Sequence, residues 1–469
     1  MKAIELKNVT FSYNGSAKVL DDVDYSAEYG EVSLLSGHSG AGKSTFMHIV
    51  SGIIPNVNFG ELSGDVIIDG ENIKGKKLGD VCRKVGVVMQ NADEQIVQKR
   101  VEDEIAFGCE NLAFPPQKIK FQIDVACRLM EISPEWNCRV LSGGQKQRLI
   151  TASTLAMGQK ILVLDEPLAN LDKDGARNLM QTLRELASSG YCVVVIEHRL
   201  DMVMPYVDKV WHAEKGKIFQ IENTDLYLSA QTARISDSCN QKLHDDVLFR
   251  LDKVAFCVKN KQILKEVTCD IARGDRTVLL GENGCGKTTL LRLLARLCKP
   301  SDGKIVQHID AAFDRVHTKR KWFRRVGVVY QNPDYQLFMP TVKKEIEFGA
   351  AGKEYAEKIA KMFGVYDLYG RHPQSLSEGQ KRRVSIAAVM AGKPEVLLLD
   401  EPTVGQDYDG LCELVNVLNS LHEETGNTMI TVTHDVRCAE ALCDRAILIE
   451  DGKAAKSGGK NLVREYFAR

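Results

Sequence analysis

The chain has 469 residues, of which 44% are hydrophobic and 27% charged, so it can bury sizeable apolar cores. Its 62 basic and 63 acidic residues give a formal net charge of −1, which excludes the strongly basic surface of a general nucleic-acid binder. We find no run of about 18 apolar residues and no apolar signal-peptide core, so we expect neither a membrane span nor a secretory leader. The 13 cysteines show no paired or metal-binding spacing, which indicates a reducing cytosol.

A first strand is expected at residues 1–6, and a glycine-rich loop follows it, with a second such loop far downstream. The first loop runs from Gly37 to Ser44 and the second from Gly281 to Thr288, and both fit G-x-x-x-x-G-K-[ST]. In this pattern backbone N–H groups and the lysine hold phosphates, while the hydroxyl binds Mg²⁺. The residues that we predict to bind ATP here are Gly37, Ser39, Gly40, Gly42, Lys43, Ser44 and Thr45 in the first loop, and Gly281, Asn283, Gly284, Gly286, Lys287, Thr288 and Thr289 in the second.

The two halves of the chain repeat one another. Residues 83–91 read RKVGVVMQN and residues 324–332 read RRVGVVYQN, and the later motifs recur in the same order. A polar stretch separates the copies. We therefore predict a first domain at 1–225, a short linker at 226–247 and a second domain at 248–469.

Continuous apolar runs in each half predict strands that are covered on both faces. They lie at 161–164 and 191–196 in the first domain and at 396–399 and 428–432 in the second. Such strands alternating with helices indicate an α/β fold with a mostly parallel sheet, whose ligands lie at the carboxyl ends of the strands.

An acidic pair ends one strand of each half. Asp165 and Glu166 follow the first run, and Asp400 and Glu401 follow its counterpart. One carboxylate can support Mg²⁺ and the next can polarise the attacking water. Upstream of each pair, residues 141–145 read LSGGQ and residues 376–380 read LSEGQ. A Ser-Gly opening at a helix N-terminus offers donors to an anion, although an ordinary N-cap would look the same.

Together these motifs resemble the ATP-binding cassette (ABC) family over essentially the whole chain. The resemblance implies two tandem P-loop NTPase domains, each with a mainly parallel core sheet, a β subdomain and a helical signature subdomain, with ATP and Mg²⁺ as cofactors. The resemblance assigns catalysis to Glu166, His198, Glu401 and His434. It assigns Mg²⁺ to Ser44, Gln90, Asp165, Thr288, Gln331 and Asp400. It assigns further ATP contacts to Tyr13, Gln90, Ser142, Gly143, Gly144, Gln145, Asp172, Gln331, Ser377, Gly379, Gln380 and Asp407.

In this family the phosphate loop and the acidic pair are the Walker motifs, and residues 141–145 and 376–380 match its signature motif. Gln90 and Gln331 match the Q-loop glutamine, Asp172 and Asp407 the D-loop aspartate, and His198 and His434 the switch histidine. The family resemblance also implies that the two domains pair head to tail, so that each ATP lies between one domain's Walker motifs and the other's signature motif. Three departures lead to the hypothesis that the two sites are unequal, with neither of them inactive. Glu378 replaces a signature glycine and brings a carboxylate towards a γ-phosphate. Val258 stands where Tyr13 would stack on adenine, and Gln406 stands in the D-loop where the first domain has Leu171. Cys285, inside the second phosphate loop, is either a reactive thiolate or a small packing residue.

The segments after Gln90 and Gln331 resemble the ATPase component of energy-coupling factor (ECF) transporters, with the two ATPases fused. That resemblance implies an integral membrane coupling subunit and a small substrate-binding membrane subunit as partners, no nucleic acid, and a peripheral location on the cytoplasmic face of the cell membrane. The acids that can receive a membrane partner, or else form a solvated acidic face, are Asp93, Asp103, Asp334 and Glu345. The transported substrate cannot be read from this chain.

Two alternatives stay open. A soluble twin-cassette ATPase acting on ribosomes or nucleic acid usually carries a long charged linker, zinc modules or coiled coils, and this sequence shows none of these patterns. The fused ATPase of another ABC importer, the simple-sugar type, typically has a degenerate second cassette, whereas both motif sets here are complete.

Overall fold

The computed structural model describes residues 1–14, 17–38, 40–169, 171–227, 246–259, 261–308 and 319–468, without the side chains of 319–321. The chain divides into two compact units, Met1–Ala233 and Arg234–Arg469, which contain the first and the second domain. Most of the predicted linker at 226–247 lies outside the described residues, and the domain boundaries stay a prediction.

The first domain contains ten strands and nine short to medium helices within the described ranges. The strands are β1 (Lys2–Tyr13), β2 (Lys18–Glu28), β3 (Val32–Gly37), β4 (Gly60–Ile68), β5 (Glu71–Asn72), β6 (Val85–Val88), β7 (Ile161–Asp165), β8 (Cys192–Ile196), β9 (Lys209–Glu214) and β10 (Lys217–Ile221). The helices are α1 (Lys43–Val50), α2 (Ile53–Asn56), α3 (Leu78–Cys82), α4 (Ala92–Gln95), α5 (Val101–Asn111), α6 (Pro116–Leu129), α7 (Gly143–Ala156), α8 (Lys173–Ser188) and α9 (Leu200–Val203), with 3₁₀ turns at Cys138–Val140 and Met204–Tyr206.

The described part of the second domain repeats this order. Its strands are β11 (Val247–Val258), β12 (Lys261–Ala272), β13 (Arg276–Leu280), β14 (Asp302–Gln307), β15 (Val326–Val329), β16 (Val396–Asp400), β17 (Thr428–Val432), β18 (Arg445–Glu450) and β19 (Lys453–Gly458). Its helices are α10 (Lys287–Leu294), α11 (Lys319–Arg325), α12 (Val342–Glu347), α13 (Lys353–Met362), α14 (Glu378–Met390), α15 (Tyr408–Thr425), α16 (Val436–Ala441) and α17 (Lys460–Ala468), with 3₁₀ turns at Pro333–Tyr335, Tyr366–Leu368 and Pro373–Ser375.

Each domain has one six-stranded, mainly parallel sheet and one antiparallel sheet. The six-stranded sheets follow the orders β6-β7-β8-β3-β9-β10 and β15-β16-β17-β13-β18-β19, in which only the last strand is antiparallel. The antiparallel sheets are β2-β1-β4-β5 and β12-β11-β14. Consequently the phosphate loop after β3 and the acidic pair after β7 leave the same edge of one sheet, separated only by β8.

Burial explains why those strands read as unbroken apolar runs. Every residue of β7, β8, β16 and β17 is buried, as the sequence predicts for strands covered on both faces. One face of the first domain's core sheet packs on the helices of the signature subdomain, and the other packs on α1 and the antiparallel sheet. The second domain is layered in the same way. The predicted fold class is thereby confirmed. In the described residues, no helix combines the length and the apolar character that crossing a bilayer requires.

Candidate nucleotide-binding site

In each phosphate loop, the glycine just before the helix has a left-handed backbone conformation that only glycine adopts easily. Gly42 has φ +99° and precedes α1, and a Cβ there would lie 2.7 Å from Leu20 Cδ2. Gly286 has φ +108° before α10, with a Cβ position 2.4 Å from Leu264 Cδ2. These glycines let the chain enter the helix with its N–H groups turned towards the loop, which is the geometry that phosphate requires. Ser39 lies outside the described residues.

The loop lysines are buried and enclosed by their own loops. Lys43 Nζ donates hydrogen bonds to the carbonyl oxygens of Gly37 and His38, at 2.6 and 2.8 Å. Lys287 Nζ makes the same two bonds, to Gly281 and Glu282, at the same distances. Each ammonium is therefore held against the start of its own loop, where it can neutralise phosphate charge.

A hydroxyl and a carboxylate converge in each domain. Ser44 Oγ donates to Asp165 Oδ2 at 3.1 Å, and Thr288 Oγ1 donates to Asp400 Oδ1 at 3.1 Å. Two hard oxygen donors beside a phosphate loop suit Mg²⁺, which takes few protein ligands and completes its shell with phosphate and water. Burial, helped by the Glu166 charge, raises the pKa of Asp165 to about 7. A cation bound here would have the opposite effect, because its charge favours the ionised carboxylate.

Glu166 stands in a strained, well-supported position. Its φ of +49° is unusual for a residue with a side chain, and its N–H donates to Ile196 O at 2.9 Å. Gln90 Nε2 donates to Glu166 Oε2 at 2.7 Å, and His198 Nε2 lies 3.3 Å from the same oxygen. Burial opposes ionisation, but the neighbouring His198 and Lys43 charges outweigh it and lower the pKa of Glu166. In the first domain the Q-loop glutamine Gln90 and the switch histidine His198 thus both contact the carboxylate of the catalytic candidate Glu166.

The second domain repeats the strained glutamate. Glu401 has φ +51°, and its N–H donates to Val432 O at 2.8 Å. His434 lies against it, with Nε2 3.5 Å from Oε1 and the backbone N–H donating to Oε2 at 3.1 Å. A left-handed backbone at both glutamates turns the chain sharply after the strand, so that the carboxylate stays at the sheet edge.

Tyr13 reaches the phosphate loop from the antiparallel sheet. Its hydroxyl lies 3.4 Å from Thr45 Oγ1, and its ring packs edge-on against Phe11. Val258, its counterpart at the end of β11, is 47% exposed and offers no aromatic face. An aromatic side chain therefore stands at the predicted adenine-stacking position in the first domain and not in the second.

The signature serines and D-loop aspartates act as helix caps. Ser142 and Ser377 form capping boxes with Gln145 and Gln380 at the starts of α7 and α14. Asp172 and Asp407 cap α8 and α15 by accepting from Gly175 N–H at 2.9 Å and Gly410 N–H at 2.7 Å. Capping accounts for these residues locally, and their contact with ATP stays a prediction.

Arg382 is a buried charged residue beside the site that the sequence analysis missed. It is fully buried in α14 and donates to the carbonyl oxygens of Tyr330, at 2.7 Å, and of the Q-loop residue Gln331. Burial lowers its pKa to about 10, against the opposing charges of Glu378 and the acidic pair. The equivalent Gln147 is also buried, and within the described chain its side-chain amide has no hydrogen-bond partner. The signal in the sequence that could have revealed Arg382 was a charged residue on the inward face of the signature helix. Arg382 bonds to the Q-loop of the second domain, whereas Gln147 makes no such bond in the described part of the first.

One expectation from the sequence is wrong, and one open alternative can be narrowed. Glu345 is not a docking residue, because it is 5% exposed and its Oε2 accepts the N–H groups of Phe338 and Met339 at 2.9 and 2.7 Å. Of the two alternatives that the sequence leaves for Cys285, the structure favours the packing residue, since burial raises the pKa of this thiol despite the nearby Lys287 charge. Cys285 packs against the apolar core of the second domain instead.

Comparison with known proteins decides the family. The sequence profile of the ABC transporter family matches residues 20–169 and 264–404, which is more than half of the chain. This chain is a member of the ABC transporter family. It is therefore an ATPase with two nucleotide-binding domains in one polypeptide.

Relatives align along nearly the full length. A putative ABC transporter ATP-binding protein of Methanosarcina mazei is 31% identical, covering 97% of this chain and 88% of its own. The putative HMP/thiamine import ATP-binding protein YkoD of Bacillus subtilis is 31% identical, covering 97% of this chain and 91% of its own. The solved structure of an RNase-L inhibitor aligns with a TM-score of 0.67 at 22% identity, covering 98% of this chain and 92% of that one. That likeness shows the tandem ABC fold.

Proposed function

We propose that this protein is the ATP-hydrolysing motor subunit of an ECF-type importer, working at the cytoplasmic face of the cell membrane. In this proposal ATP and Mg²⁺ bind at two sites, each formed by one domain's Walker motifs and the other domain's signature motif. Separate membrane subunits recognise a vitamin, metal ion or other micronutrient, and nucleic acid is not a partner. The catalytic step is positioning and charge stabilisation around an in-line water, with Glu166 and Glu401 orienting that water.

One observation carries the transport part of the proposal. Both domains expose apolar side chains at the same two places beside the Q-loop, Val97 and Phe107 in the first and Phe338 and Phe348 in the second. Phe338 and Phe348 are 66% and 62% exposed and stack edge to face with their centroids 5.3 Å apart. Exposed apolar side chains repeated at equivalent places indicate a protein partner. We assign them to cytoplasmic helices of the membrane coupling subunit.

The segments that present these side chains are rigidly held. Glu104 is buried and its Oε2 accepts the N–H groups of Val97 and Gln98 at 2.9 and 2.7 Å, just as Glu345 does in the second domain. Asp93 and Asp334 are paired with Lys146 and Lys381 of the signature helices. A rigid apolar surface tied to the signature helix can transmit movement of that helix to a docked partner.

The two docking surfaces differ in charge. Glu102 and Asp103 of the first domain are replaced by Lys343 and Lys344 in the second, and Asp103 and both lysines are exposed. The coupling subunit should accordingly present two helices of different charge. The relation to the thiamine-import ATPase named above supports a small nutrient as cargo.

The decisive experiment is affinity purification of the tagged chain from detergent-solubilised membranes. We expect a polytopic membrane protein and a small membrane-embedded binding subunit to co-purify. A Phe338→Ser/Phe348→Ser double variant should lose both while retaining ATP binding. Recovery of ribosomal proteins or nucleic acid without a membrane partner would overturn the importer proposal and leave the ATPase chemistry intact.

A further inference from the structure

The D-loop of the second domain is bonded to the signature motif of the same domain. Gln406 is 5% exposed, and its Nε2 donates to Gly379 O at 2.8 Å. Its Oε1 accepts from Arg383 Nε at 3.1 Å, and Arg383 NH1 in turn donates to Glu413 Oε2 at 3.0 Å. Both ends of the Gln406 amide are therefore engaged by the first two turns of α14.

The backbones of the two motifs approach as closely as glycines permit. A Cβ at Gly379 would lie 2.6 Å from Gly405 O, and a Cβ at Gly405 would lie 3.1 Å from Glu378 Cγ. No side chain fits between them, so the first turn of the signature helix is seated directly on the D-loop. The substituted signature residue Glu378 belongs to this contact.

The first domain anchors its D-loop to a different neighbour. Leu171 replaces the glutamine, and Arg199, next to the switch histidine, donates to the carbonyl oxygens of Leu168 and Leu171, both at 3.0 Å. Arg148, the counterpart of Arg383, has its NH1 3.5 Å from Glu131 Oε2, and in the part of the chain that the structure describes its Nε has no acceptor. The two D-loops are thus fastened to different motifs, one to the switch loop and one to the signature.

We infer that Gln406 is a positioning residue for the signature motif of the second domain, and that it acts on ATP only through Ser377 and Gly379. The inference rests on the proposed role of the signature motifs in ATP binding. Loss of the Gln406 amide leaves the first turn of α14 less well positioned. ATP binding by the signature motif then weakens, while the rate of the hydrolysis step stays the same. One or two net buried hydrogen bonds correspond to a rise in KM of about fivefold.

The test uses the full chain in two backgrounds, each with one working site. Glu401→Gln leaves turnover to Glu166, and Glu166→Gln leaves it to Glu401. In each background Gln406→Met is compared with Ser377→Ala, which removes a signature donor directly. We expect both variants to raise the KM for Mg-ATP in the same background, Gln406→Met by about fivefold with kcat within about twofold. The proposed pairing predicts that this is the Glu401→Gln background.

The controls separate this inference from the proposed function. Gln307→Met removes another buried glutamine of the second domain, bonded by Arg296 outside the site, and should leave KM in both backgrounds within about twofold. If Ser377→Ala acts only in the Glu166→Gln background, the proposed pairing fails. If Gln406→Met then acts in that same background, the positioning role stands. Gln406→Met acting in a different background from Ser377→Ala, acting equally in both, or acting in neither would overturn the inference.

Discussion

Replacing the buried Glu345 by alanine should destabilise the second domain far more than an exposed change on the same helix. The carboxylate accepts two backbone N–H groups, from Phe338 and Met339, and both would lose their partner. A hydrogen bond to a charged group contributes about 1.5–3 kcal/mol, so two at the lower end amount to about 3 kcal/mol. For a domain of this size, about 3 kcal/mol corresponds to a fall in Tm of about 6–12 °C.

Differential scanning calorimetry of the full chain measures this directly, because separate domains give separable transitions. The transition of the second domain should move and that of the first should stay. Glu104→Ala provides the mirror experiment, and Lys344→Ala, one residue from Glu345 but exposed, should shift Tm by less than about 2 °C. If Glu345→Ala leaves both transitions unchanged and only weakens binding of the membrane partner, the carboxylate is a docking residue and the burial argument is refuted.

Three further predictions concern the site and its surroundings. Tyr13→Ala should weaken ATP binding about tenfold at one of two sites resolved by equilibrium titration, since base stacking contributes about 1–3 kcal/mol, and an equal loss in Tyr13→Phe would contradict stacking. Glu166→Gln and Glu401→Gln should lower ATP turnover by unequal factors, because the buried charge of Arg382 lies near Glu401 and the uncharged Gln147 takes its place in the first domain. Equal factors in steady-state ATPase assays would contradict unequal sites. Burial holds the pKa of His422 below its usual value, so the unfolded chain binds the proton more readily and the second domain should lose stability as pH falls below about 6.5, by up to about 1.4 kcal/mol per pH unit. Denaturant titrations at several pH values from 7 to 5 give the free energy of unfolding at each pH. In His422→Gln this free energy should depend less steeply on pH than in the parent protein, and an unchanged pH dependence would refute the assignment.

Much of the nucleotide site was predictable because its requirements are local. A phosphate loop needs glycines that accept positive φ and a lysine at the helix start, and the whole pattern spans only the eight consecutive residues Gly37–Ser44. The acidic pairs follow strands whose unbroken apolar sequence already indicates burial on two faces. Parallel strands bring their carboxyl ends to one edge, and the resemblance assigned both Ser44 and Asp165 to Mg²⁺, so the two were expected to lie close together. Ser44 Oγ lies 3.1 Å from Asp165 Oδ2.

The sequence was wrong about Glu345 and left the role of Cys285 open, because burial decides the role of an ionisable side chain. Glu345 and the exposed Lys344 are neighbours on one short helix, and their charges alone do not reveal which points inward. Cys285 lies beside backbone donors that favour a thiolate, but the apolar core behind the loop outweighs them and raises its pKa. In both cases the deciding quantity is the loss of water around the group, and this depends on elements far away in the chain.

The sequence by itself therefore determined the family, the duplicated fold and the positions of the phosphate loops and acidic pairs, because these follow from short motifs and strand periodicity. The tertiary structure alone decided how each motif is fastened to the next. Gln406 and Gly379 are 27 positions apart, and Arg382 is 51 from Gln331. Their hydrogen bonds exist because packing of the signature helix brings those backbones together and excludes water. The sequence already identified Gln406 as a position where the two domains differ, but only the structure shows that its amide bonds to Gly379 and Arg383.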